Sequence, residues 1–289
     1  MNGFVILDKS EGMTSFRASS FLRRIYGEKK TGHTGTLDPM ATGVLPVALG
    51  RATRFIDFLP VTDKGYDARF RFGITTDTLD ITGNVLSETD AHVTFDELTA
   101  VLPRFRGDIM QTPPMFSAIS VDGKRLYELA RKGVEVEREK RAVTVHELEA
   151  EDCGNGEFRL RVMCSKGTYV RSLIDDIGRE LGVGACMTAL RRTYANGFSL
   201  ADAHTEEALK ELAPGGVLPV DAPFVCFPAV SLSRLQTVRF KNGGELFTSR
   251  LGGDLSPSVY RVYSDENVFL GLGEVAADET ELLRVRRVI

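Results

Sequence analysis

The sequence predicts an α+β protein with a small strand-rich module at its C-terminal end. Alternating apolar stretches interleave with amphipathic ones, yet no regular β-α-β repeat emerges. Pro214, Pro219, Pro223 and Pro228 punctuate the chain, and beyond them Val230–Ile289 is short, glycine-dotted and rich in strand-like runs. With 289 residues, 43% of them hydrophobic, the chain can build one large core and a second small one. The expected division is 1–226 and 227–289.

Gly3 to Leu7 reads as a short buried strand. Thr14 or Ser15 can cap a helix carrying Phe16, Phe21, Leu22 and Ile25, which runs to Tyr26 and stops at Gly27. A loop is expected from Gly32 to Gly43, then a helical stretch from Ala52 to Leu59 ended by Pro60. Lys64 to Phe72 alternates, setting Tyr66, Ala68, Phe70 and Phe72 on one face. Thr94-x-x-Glu97 is a capping box that opens a helix reaching Leu102. The segment Arg106 to Gly133 reads as a strand-like piece followed by a basic helix, Lys124 to Lys132. Strands follow at Ala142–Ala150 and Phe158–Cys164. A helix from Thr168 to Leu181 then carries the stripe Val170, Leu173, Ile174, Ile177 and Leu181. The tail gives strands at Val259–Tyr263, Phe269–Val275 and Leu282–Val288.

Several function classes lose support. Cys153, Cys164, Cys186 and Cys226 lie far apart, and the four histidines form no H-x-x-x-H pair. No metal site, disulfide framework or cofactor is expected, and a reducing cytoplasm is the default compartment. The start is too short and too soon charged for a signal peptide or membrane span. No phosphate-binding G-x-x-x-x-G-K-[ST] loop appears. Net charge is -4, but it is uneven. Met1–Pro60 holds eight bases against five acids and Arg159–Arg192 seven against three, while Val61–Pro103 holds three against eight. Basic faces on an acidic protein suit an RNA held at one surface, or they are simply solvated.

The loop GHTGTLDPMATG, Gly32 to Gly43, is the most informative stretch. Glycine and small hydroxyl residues bury little and are costly to order, so an ordered loop of this kind usually holds a substrate or a reactive group. Its Asp38 has two readings: an N-cap before Pro39, or a carboxylate ionised at neutral pH and ready for nucleophilic or basic work. Arg171 pairs either with Asp175 one turn on, or with a catalytic carboxylate. Tyr66 and Tyr169 are core aromatics or stacking platforms for a base. His33, between Gly32 and Thr34, reads as a loop residue at the surface.

Four motifs then fall in order: Asp8-Lys9-x-x-Gly12-x-Thr14-Ser15, the Gly32–Gly43 loop, Arg106-Gly107-x-x-x-Gln111-Thr112-Pro113-Pro114, and Ser165-Lys166-Gly167-Thr168-Tyr169-Val170-Arg171. Together they resemble the bacterial TruB family of tRNA pseudouridine synthases, over essentially the whole chain. The resemblance implies a mixed, mainly antiparallel sheet core, a mobile thumb over about 106–141, and a PUA-like β-barrel tail that binds RNA. It makes Asp38 the nucleophile, Arg171 its ion-pair partner and Tyr66 the aromatic packed on the target base. His33 would fill the space left by flipped nucleotides, Tyr169 and Leu190 would line the uridine pocket, and Lys9 joins the substrate-binding set. The implied reaction isomerises a T-loop uridine without any cofactor. The partner is the tRNA T stem-loop, the enzyme a cytoplasmic monomer. Action on another RNA, or RNA binding without catalysis, are the alternatives. Ser10, Phe116 and Ser120 stand where the family usually has proline, tyrosine and lysine.

Overall fold

The computed structural model describes residues 1–121, 123–252 and 255–289. Asp122 in the thumb segment, and Gly253 and Asp254 in the tail, lie outside the described residues. The alternation of Lys64–Phe72 places its strand, β4, at the heart of the main sheet. The earlier strands are β1 (Gly3–Lys9), β2 (Thr31–His33) and β3 (Thr42–Leu49). Among the described residues the main sheet has nine strands. Its path runs β1, β3, Ala185–Ala195, β4, Glu157–Cys164, Arg141–Asp152 and Gly107–Gln111. Tyr66, Ala68, Phe70 and Phe72 all face the core, as a period of two requires. Nearly all pairings along this path are antiparallel, but Thr42 and Gly43 pair in parallel with Arg191 and Arg192. Gly43 has φ 101°, and a Cβ there would sit 2.2 Å from the Arg192 carbonyl oxygen. Only glycine permits that approach, which seats the end of the Asp38 loop on the Arg192 backbone.

Helix α1 (Ser15–Ile25) is capped by Thr14, whose side chain accepts from the Arg17 amide. Its buried face is Ser15, Ala18, Ser19 and Leu22 with Phe21 beside them, the i, i+3, i+4, i+7 pattern. Phe16 lies off that face and is 77% exposed, against the expectation that it joins the stripe. The Thr94 capping box opens α2 (Phe95–Val101) as expected. The basic helix shrinks to α3 (Leu126–Ala130), because Lys124 and Arg125 fold back in a hairpin on Ser120 and Val121. The stretch before Pro60 is a 3-10 helix, Gly50–Phe58. The predicted loop is also shorter. Gly32 and His33 belong to β2 and pair with Ala48 and Val47 of β3, leaving Thr34–Ala41 as the loop proper.

Helix α4 (Val170–Glu180) buries Val170, Leu173, Ile174 and Ile177 against the sheet. Beyond the prolines, five strands form a curled sheet in the order Ala229–Leu232, Ser258–Ser264, Phe269–Ala276, Glu279–Val288 and Leu246–Phe247. It has a core of its own around Val230, Phe240 and Val262. A further cluster joins it to the main body: Leu272 and Phe269 pack with Phe4, Ile6, Phe55 and Phe224. The Phe55 ring lies 6.0 Å from Phe224 and 5.9 Å from Phe269. Among the described residues, no helix is long and apolar enough to cross a membrane.

Candidate active site

The Asp38 loop is ordered by side chains from three elements that bond its backbone. Ser15, the first residue of α1, accepts from the Leu37 amide at 2.8 Å and donates to the Leu37 carbonyl at 3.1 Å. Arg192 donates to the carbonyls of Gly35, Thr36 and Val44 at 3.1, 3.4 and 2.7 Å. Lys9 reaches the Pro39 carbonyl at 3.2 Å, and the Gly12 amide donates to the same oxygen. The turn after Asp38 is closed by the Ala41 amide on the Asp38 carbonyl. The Asp38 side chain therefore does not cap the turn and points to Arg171 instead.

Arg171 sits in the first turn of α4 with 4% of its side chain exposed. Its guanidinium lies 3.0 Å from Asp38 and 3.5 Å from Asp80, and it donates to the carbonyls of Thr78 and Phe116. Asp175, the alternative partner, pairs with Arg179 at 2.8 Å. Asp80 is held in place by Thr78 and by the amide and hydroxyl of Thr82. Gln111 brackets the backbone of Tyr169, accepting from its amide at 2.7 Å and donating to its carbonyl at 3.0 Å. The Ser172 hydroxyl donates to the Thr112 carbonyl. The start of α4 and the segment 111–118 are thus pinned around one guanidinium.

A cavity of about 240 Å³ opens there, and Asp38, Tyr66, Tyr169, Arg171 and Leu190 all line it. Lys64, Thr36 and Ser117 join them, and none of these three stood out in the sequence. Lys9 and His33 are not among the lining residues. Lys9, expected to contact substrate, is fully buried and shares its ammonium among the carbonyls of Ser10, Met13 and Pro39. It braces the loop and has no face for RNA. His33 lines a separate cleft with Phe16, Arg23, Lys29 and Lys30. Burial, with Arg192 and Lys64 nearby, holds its imidazole below the usual range, so it is neutral. Of the departures, Ser10 donates to Glu206, Ser120 pairs with Arg125 in the short hairpin, and Phe116 meets Arg171 through its main-chain carbonyl, which any residue there would supply. Among the described residues, no His, Cys, Asp and Glu cluster could hold a metal ion.

Burial raises the pKa of Asp38 above its ordinary value of 3.8; Arg171 opposes the rise and Asp80 adds to it. A third of the side chain, 35%, stays open to the cavity, so a base covering it would add to the rise. The ionised form costs the fold something. The contribution of Asp38 to stability is therefore present below pH 3.8 and lost as pH rises through its raised pKa. Chemistry that needs the carboxylate ionised should show an acid limb in kcat/KM above pH 3.8; a pH–rate profile with its limb at or below that value would contradict this. Burial pushes Tyr66 up to about 12, with Arg192 opposing, so the phenol keeps its proton.

Comparison with known proteins agrees with the geometry. Residues 23–170 match the TruB family pseudouridylate synthase N-terminal domain. Residues 171–214 match the tRNA pseudouridylate synthase B C-terminal domain, and 228–289 match the C-terminal domain of pseudouridine synthase II TruB. The chain is 46% identical over 293 residues to a tRNA pseudouridine synthase B of Azoarcus sp., covering 100% of this chain and 95% of the relative. It is 43% identical over 279 residues to that of Clostridium perfringens, covering 95% of each. Among solved structures, a chain from a Cbf5-Nop10-Gar1 complex superposes with a TM-score of 0.74 at 26% identity, covering 99% of this chain and 84% of that one. A cavity floored by a buried tyrosine, an aspartate held by a buried arginine and full-length relatives of one kind lead to one conclusion: the chain belongs to the TruB family of pseudouridylate synthases.

Proposed function

We propose that this protein isomerises a uridine in the T-loop of tRNA to pseudouridine, with Asp38 acting on the sugar. The observation that carries the reading is the 3.0 Å Asp38–Arg171 pair at a cavity whose wall is Tyr66. The target base leaves its stack at a cost of a few kcal/mol, offset by stacking on the Tyr66 ring. His33, on the next cleft, fills the gap left in the loop of the RNA. Asp38 attacks the sugar or takes a sugar proton while the N1–C1′ bond breaks. The base turns, C5 bonds to C1′, C5 loses its proton and N1 gains one. The high pKa of Tyr66 suits it to packing rather than proton removal. Tyr169 and Leu190 close the walls, and the tail 227–289 acts as a PUA-like surface for the RNA. The protein works as a cytoplasmic monomer in this reading.

Tritium release from C5-labelled uridine tests it. Release from a T stem-loop is the expected result. No release from any RNA would refute an enzyme, and release only from an unrelated RNA would refute the T-loop.

A further inference from the structure

We propose that Lys64 reads the carbonyl of the target base opposite its sugar, distinguishing uracil from cytosine and holding the ring while it turns. This rests on the isomerisation just described. Lys64 and Tyr66 share one face of β4, about 7 Å apart along the strand, so a base stacked on Tyr66 presents its edge to Lys64.

The charged residues lining the cavity are Asp38, Arg171 and Lys64. The first two are committed to each other. Among the described residues the Lys64 ammonium has neither a hydrogen-bond acceptor nor a carboxylate partner. Its electrostatic neighbours are Arg192 and Cys164, whereas those of Asp38 are Arg171, Asp80 and Lys9. Among the described residues Lys64 and Asp38 line the same cavity without pairing with each other, so a ligand whose sugar meets Asp38 leaves the ammonium free for another part of it. Gly35 makes room for it, since a Cβ there would lie 3.1 Å from Nζ. Burial brings its pKa down to about 8, so it remains protonated at neutral pH.

A half-buried ammonium that faces a cavity without a protein partner is free to donate to an acceptor on a ligand. With the sugar held at Asp38, the far edge of a uracil offers O4. A cytosine offers an amino group there, a donor facing a donor. When N1–C1′ breaks, negative charge spreads onto O2 and O4, and a hydrogen bond from an ammonium strengthens as it does. Turning the ring about its N3–C6 axis exchanges N1 with C5 and O4 with O2. One ammonium thus meets a carbonyl before and after the turn.

The test uses the full chain with Lys64→Met and Lys64→Gln, and labelled T stem-loop RNAs carrying uridine or cytidine at the target position. Circular dichroism checks folding, anisotropy gives affinity and tritium release gives rate. The parent is expected to prefer the uridine RNA. Lys64→Met should lose most of that preference and lower kcat by about 10- to 100-fold, the usual range for a lost hydrogen bond to a charged group. Lys64→Gln, whose amide can donate or accept, should bind both RNAs alike and stay slow. Equal weakening of both RNAs with a shallower salt dependence would mark a phosphate contact and overturn the proposal. So would an unchanged preference in both variants. A parent that releases no tritium would refute the isomerase reading itself, a result separable from either of these.

Discussion

Asp38→Asn is expected to lower tritium release from a C5-labelled T stem-loop by at least about 10⁴-fold, the scale on which removing a nucleophile acts. It should leave the fold intact. Arg171 keeps the Thr78 and Phe116 carbonyls and Asp80 when the Asp38 charge is removed. The loop backbone is held by Ser15, Lys9 and Arg192, none of which touches the Asp38 carboxylate. Because burial disfavours the ionised form, the neutral amide relieves a cost, and the melting temperature should hold steady or rise. Single-turnover tritium release with thermal melts measures both quantities. Substantial release by Asp38→Asn would remove Asp38 from the chemistry. Inactivity with a collapsed melting temperature would make it a structural residue.

Arg192→Met should act the other way, on stability first. Arg192 is the largest fully buried side chain, and no carboxylate pairs with it among the described residues. Removing the guanidinium strands the carbonyls of Gly35, Thr36 and Val44. Each stranded acceptor costs about 1–3 kcal/mol. Two effects work against that loss: the buried charge no longer needs desolvating, and water can enter from the cavity beside Gly35 and Thr36. The acceptors win, at about 3 kcal/mol of net destabilisation. Urea unfolding would show this as a lower midpoint. Activity should fall with it, since the same bonds order the Asp38 loop. A loss below about 1 kcal/mol would mean that Ser15 and Lys9 suffice to hold that loop.

What could be read from the sequence was whatever repeats or falls in a fixed order. The period of two in Lys64–Phe72 and the Thr94–Glu97 box are local, and both hold in the structure. Asp38 and Arg171 lie 133 positions apart, and nothing periodic joins them; only the order of the motifs suggested their meeting. Lys9 and Arg192 were harder still. Long cationic side chains are rarely buried, so their composition pointed to surface, while the fold uses both as donors to loop carbonyls. Asp80 stands between Thr78 and Thr82, which cradle it, a hydroxyl-flanked carboxylate that could have drawn notice. His33 was misplaced for a different reason. A three-residue strand leaves no period to detect, and its pairing with β3 is settled by the sheet.

The aromatic contacts of Phe55 with Phe224 and Phe269 have a consequence for how this chain can change over evolutionary time. Leu272 and Phe269 share one apolar cluster with Phe4 and Ile6, from opposite ends of the sequence. The tail is therefore no bead on a string, free to be exchanged for another module. A replacement would have to supply its own wedge against Phe55, or leave β1 with a greasy flank. Selection on the tail is in part selection on the first strand of the catalytic sheet. The two ends of the gene inherit a joint constraint that neither end's sequence reveals alone.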